Sequence, residues 1–99
     1  RVAVARDRQE AQQVLDQGFV PELVLVDYHL DDGDTGTQVM LWLRERLGAD
    51  LPGVVISADG RQDVLSEISL AGLSYLPKPV KPAALRALIS RHVTLGSTG

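Results

Sequence analysis

Cysteine is absent from this chain of 99 residues, which excludes disulfides and thiolate metal sites and fits a reducing, cytoplasmic setting. An excess of positive charge is lacking too. Ten Lys and Arg stand against 13 Asp and Glu, a formal net charge of −3, so direct contact with nucleic acid is not expected. No apolar run approaches the roughly 18 residues that a membrane span needs, so no membrane contact is expected of this domain. Internal repeats, low-complexity segments, a helix-turn-helix and a kinase segment are all missing from the pattern. The first residue is Arg1 rather than Met, and the expectation is a fragment or processed piece of a longer protein.

What is there is ordinary in bulk: 44% hydrophobic and 23% charged residues, in a length suited to one soluble globular domain. The order of the residues says more. Val2 to Ala5 reads as a short strand. Asp7 with Glu10 three residues on is a capping-box pattern, opening a helix whose apolar face is Ala11, Val14 and Leu15. Gly18 suits a left-handed helix end, and Pro21 follows as a breaker. Leu23 to Val26 is a continuous apolar run, the mark of a strand covered on both faces. A loop rich in Asp and Gly, 29–36, leads to a helix from about Gly36 to Leu47 with Val39, Met40, Leu43 and Leu47 inward.

Val54 to Ile56 is a third strand. Gln62 to Ala71 is a weaker helix with Val64, Leu65, Ile68 and Leu70 or Ala71 inward, and Leu73 to Leu76 a fourth strand. Pro82 suits the first turn of a last helix, with a stripe of Ala84 or Leu85, Leu88, Ile89 and Val93. Residues 1–95 form one domain in this reading, and 96–99 a disordered tail. The alternation of strand and helix predicts an α/β fold: a parallel sheet with right-handed crossovers and helices on both faces.

Three polar side chains stand at the ends of three of these runs: Asp27 after Val26, Ser57 after Ile56, and Lys78 just past Pro77. In a parallel sheet the carboxyl ends of the strands share one edge, where ligands bind. A carboxylate, a hydroxyl and an ammonium gathered there suit a phosphoryl group. The carboxylate can attack phosphorus, the hydroxyl can bond an equatorial oxygen, and the ammonium can neutralise the added charge.

The segments Val26-Asp27-Tyr28-His29-Leu30, Ile56-Ser57-Ala58 and Tyr75-Leu76-Pro77-Lys78-Pro79, in that order and spacing, resemble the receiver domain of two-component response regulators. The wording of the loop after Asp27 looks most like the C-terminal receiver of a hybrid sensor histidine kinase. The resemblance implies a flavodoxin-like fold with strand order 2-1-3-4-5. It implies that Asp27 takes a phosphoryl group from a phosphohistidine, on a histidine kinase or a histidine phosphotransfer protein. Ser57 and Tyr75 would be the switch pair, Lys78 the family lysine, and Lys78-Pro79 a cis peptide bond. His29, Ala58, Asp59 and Pro79 would border the site. Mg²⁺ would be held by Asp27, by the backbone carbonyl of His29, and by acidic residues from the family's first strand–helix turn.

That turn is where the sequence departs from the pattern. Val2 to Ala5 matches the family's second strand, and no first strand with its acidic pair precedes it. The absent strand would be central, between Val2–Ala5 and Leu23–Val26. The expectation is therefore a metal-deficient, destabilised sheet with a gap that invites dimerisation by strand exchange. The loop also lacks the family's proline, Asp31 standing in its place, and the family's glycine falls one residue late, at Gly36.

Plainer readings compete. Asp27 can be a strand-end turn residue, Ser57 a cap, Lys78 a solvated lysine and Tyr75 simple core. Asp31, Asp32 and Asp34 read as acids preceding a helix N-terminus rather than as metal ligands. Trp42 reads as partly packed surface and His92 as solvated. Two rival functions remain. One is an interaction module that is never phosphorylated. The other is a small aspartate-nucleophile phosphatase, disfavoured because the place of its general acid holds His29 and no Asp or Glu follows Glu67.

Overall fold

Four strands alternate with four helices in the computed structural model, which describes residues 2–18, 20–29 and 33–92 (of His92 the backbone alone). The strands are β1 (Val2–Ala5), β2 (Leu23–Asp27), β3 (Gly53–Ser57) and β4 (Ser74–Pro77). The helices are α1 (Arg8–Asp16), α2 (Gly36–Leu47), α3 (Gln62–Leu70) and α4 (Pro82–His92). The sheet is wholly parallel, in the order β1-β2-β3-β4. This is the doubly covered α/β arrangement that the alternation predicts. The readings of Leu30, Asp31, Asp32, the His92 side chain and residues 93–99, including Val93 and the tail, lie outside the described residues.

The expected central gap is not there. β1 pairs directly with β2, with Ala3 opposite Val24 and Ala5 opposite Val26. An open slot inside the sheet would leave two rows of backbone N–H and C=O groups without partners, each at a cost, so the two flanking strands close on one another. The family order 2-1-3-4-5 without its first strand is the order seen here.

Alternation along β2 explains why its run is apolar throughout. Val24 and Val26 face a core built with Ala11 and Val14 of α1, Val39, Met40 and Leu43 of α2, and Val64 and Ile68 of α3. Leu23 and Leu25 face the other side, where Ala84, Leu85, Leu88 and Ile89 of α4 cover them. All four are buried, and each contributes about 1.5–3 kcal/mol. On α3 the inward choice is Ala71 at the helix end, while Leu70 is 89% exposed.

The caps decide where the helices begin. Asp7 accepts a hydrogen bond from the Glu10 backbone N–H, as expected of an N-cap. The Glu10 carboxylate reaches one residue further than a capping box requires, to the backbone N–H of Arg6 at 2.6 Å. The complete capping box lies at Thr35 and Gln38, which start α2. Asp34 precedes that cap and is held by Arg8 of α1 at 3.0 Å.

Gly36 fixes the loop after β2. Its N–H donates to the Tyr28 carbonyl at 2.8 Å. A Cβ there would overlap the Asp27 carbonyl oxygen and stand 3.0 Å from a Val26 methyl. Gly36→Ala is expected to cost about 1–3 kcal/mol, as overpacking does, read as a lower midpoint in urea unfolding; an unchanged midpoint would contradict the packing described.

Candidate functional site

The strand ladder determines which side chains meet at the carboxyl edge. Asp27 is in register with Ile56, and Ser57 with Pro77. The Lys78 N–H extends the ladder by donating to the Ser57 carbonyl at 3.1 Å. Lys78 thus leaves the end of β4 pointed back across β3, and its Nζ stands 3.2 Å from Asp27 Oδ1. Both heads are reachable from solvent, with 48% of the Lys78 and 31% of the Asp27 side chain exposed. The Lys78-Pro79 bond is cis. Pro79 and Ala58 are exposed.

Ser57 is buried at the end of β3, and its Oγ accepts the Asp59 N–H at 2.9 Å. The Tyr75 hydroxyl donates to the Ser57 carbonyl at 3.2 Å, so these two residues are in direct contact. The ring of Tyr75 is partly buried and packs against the core.

Asp59 and His29 lie on the turns that follow β3 and β2. The Arg61 guanidinium grips the Asp59 carboxylate, with Nε 3.0 Å from each oxygen, and holds it below the usual carboxylate range. His29 is exposed, its Nε2 3.8 Å from Asp59 Oδ2. Its ring meets Tyr28 edge-on, centroids 4.9 Å apart.

Two participants were not legible as such. Tyr28 turns inward from the residue next to Asp27, and its hydroxyl donates to Glu67 of α3 at 2.9 Å. Burial, then that contact, raises its pKa above the ordinary value. The signal was weak: an aromatic directly after the strand, and one acid on the inner half of a helix. Arg61 was equally hidden, its pairing with Asp59 depending on the turn between them.

Among the described residues no group of three or more His, Asp and Glu side chains could hold a metal ion. On the turn after β1, Asp7 caps α1 and Glu10 is bound by Arg6, whose guanidinium reaches Oε2 at 3.2 Å. Neither is offered to a cation beside Asp27.

No protein-family model and no curated protein sequence matches the chain. The structure is similar to a solved response regulator receiver protein from Pseudomonas putida. The TM-score is 0.75 at 23% identity, over 88% of this chain and 72% of that one. The chain therefore has the flavodoxin-like fold of a receiver protein. Among the described residues no helix is long and apolar enough to cross a membrane.

The Tyr28–Glu67 bond yields a prediction. Tyr28→Phe is expected to cost about 0.5–1.5 kcal/mol in urea unfolding. The raised pKa means the folded chain keeps a proton that the unfolded chain loses near pH 10. That contribution is present below about pH 10 and lost as pH rises through the folded-state value. The wild type should lose stability there more steeply than Tyr28→Phe; equal slopes would contradict the assignment.

Proposed function

We propose that the chain is a phosphoacceptor receiver domain in a two-component phosphorelay. The observation that carries this reading is the Asp27–Lys78 ion pair at the carboxyl edge of a parallel sheet. A half-exposed pair contributes about 0–1 kcal/mol to stability, too little to explain by the fold alone why a carboxylate and an ammonium converge from β2 and β4.

An Asp27 carboxylate oxygen attacks the phosphorus of a phosphohistidine on the partner. The O–P bond forms, the P–N bond breaks, and the electron pair leaves with the imidazole. Lys78 meets the charge on the transferring group, the contribution that matters most in phosphoryl transfer. The acyl phosphate carries close to two negative charges at neutral pH. Ser57, now bound to the Asp59 N–H, then turns its hydroxyl toward a phosphoryl oxygen, and Tyr75 follows into the space released. The domain is a two-state switch that a covalent group biases, not an enzyme acting on a separate substrate.

The partner is a histidine kinase or a histidine phosphotransfer protein, and the parent chain in this reading is a hybrid histidine kinase of the cytoplasm. The resemblance implies Mg²⁺ at such sites. Here Asp27 and the His29 carbonyl are its only named ligands among the described residues, so no step is derived through it. That shortage of carboxylates supports the second reading, an interaction module that is never phosphorylated.

Labelling separates the two. With acetyl phosphate and Mg²⁺ present, the chain is expected to gain one phosphoryl group by intact mass, and Asp27→Asn none. An unlabelled wild type favours the passive module, and a labelled Asn variant places the acceptor elsewhere. Lys78→Met is expected to slow labelling at least tenfold while moving the unfolding free energy by about 1 kcal/mol or less. A variant that labels at the wild-type rate would contradict the role given to Lys78.

A further inference from the structure

We propose that Arg6 is a second anion-binding side chain at the Asp27 site, joining Lys78 to supply the positive charge that meets the phosphoryl group without a divalent cation. The inference rests on the phosphoacceptor reading above.

Its basis is the closure of the sheet. Ala5 pairs with Val26, so Arg6 is the first residue past β1 and Asp27 the last of the adjacent β2. Adjacent strands lie about 4.8 Å apart, a gap well within the reach of an arginine side chain. Ala3 and Ala5 face the core shared with Val24 and Val26. Leu25 faces the opposite side, and Asp27, two residues on in β2, shares that side; Arg6 follows Ala5 at the bend that closes β1. Lys78 meets Asp27 from beyond β4, and Arg6 stands at the end of the neighbouring β1, where the charge of Asp27 acts on it.

The present partner of Arg6 is one it can leave. Glu10 binds it as an exposed pair four residues along, with 73% of the Arg6 side chain in solvent. Such pairs are weak and screened by salt. Charges of Asp7 and Asp27 act on the guanidinium as well, after the larger effect of Glu10. A phosphoryl group on Asp27 offers more negative charge and a geometry that a guanidinium binds in two-pronged fashion. Asp7 is engaged by the α1 N-terminus and Glu10 by Arg6, so Arg6 is the cation this turn holds next to β2.

The test is the rate of labelling of the 99-residue chain by acetyl phosphate in excess EDTA, followed by intact mass. The O–P bond to Asp27 forms as the acetyl O–P bond breaks and acetate leaves with the electron pair. The wild type is expected to label in EDTA. Arg6→Ala should be about tenfold slower, Arg6→Lys should recover part of the loss, and Glu10→Gln, which frees Arg6, should be faster than wild type. A purely structural role for the Arg6–Glu10 pair would slow both Arg6→Ala and Glu10→Gln. Either that pattern, or a wild type that labels only with Mg²⁺, overturns the inference and leaves the phosphoacceptor reading standing. A chain that labels under neither condition removes both.

Discussion

The ion pair between Asp27 and Lys78 joins strands that are not neighbours. β3 lies between β2 and β4, so the two backbones are about 10 Å apart, and only a long side chain can close the distance. The contact holds because three registers agree: Asp27 with Ile56, Ser57 with Pro77, and the Lys78 N–H on the Ser57 carbonyl. A slip of one residue in β3 or β4 would carry the ammonium along the strand axis and turn neighbouring side chains to the wrong face. The apolar runs, buried on both sides of β2, are what forbid that slip. Core packing and the geometry of the site are one constraint seen from two ends.

Around that pair, the flanking residues converge on one helix, α3. Tyr28 bonds Glu67 and so links the residue next to Asp27 to the middle of α3. Tyr75 bonds the backbone at Ser57, and Asp59 with Arg61 holds the turn that leads into α3. Arg44 of α2 ties three carbonyls, those of Leu51, Ala71 and Gly72, and so fixes the far end of α3 to the loop before β3. A charge placed on Asp27 therefore acts on a helix already connected to the site through side-chain hydrogen bonds at both ends of its first two turns and braced at its last. That is the physical form a switch would take here.

The sheet was legible because its signal is strong. Four apolar runs, each ended by a turn, can be read without knowing their partners, and Asp27, Ser57 and Lys78 follow from counting to the ends of those runs. The helix beginning at Gly36 was equally plain, although its cap, Thr35 with Gln38, was overlooked beside the more conspicuous Asp31, Asp32 and Asp34. Tertiary choices were not legible. Leu70 and Ala71 are adjacent and both apolar, and only packing says that the larger one faces solvent. The union of β1 with β2 was missed because the resemblance supplied a strand between them, whereas the ladder requires only that neighbouring backbones be satisfied. Contacts such as Tyr28 with Glu67, 39 residues apart, leave almost no trace in a single sequence.

Closing the sheet has a cost and a consequence. Val2 and Val4 stay 37% and 56% exposed on the edge strand. The same closure puts Arg6 at the end of the strand next to β2. Convergence of the carboxylate, the hydroxyl and the ammonium on one phosphoryl-sized space is the central claim, and a crystal structure of the chain with beryllofluoride bound, a mimic of the phosphoryl group, tests it most directly. The expected result is the adduct on the Asp27 carboxylate within hydrogen-bonding distance of both Ser57 Oγ and Lys78 Nζ. An adduct elsewhere, or one on Asp27 that neither Ser57 nor Lys78 touches, would contradict the account.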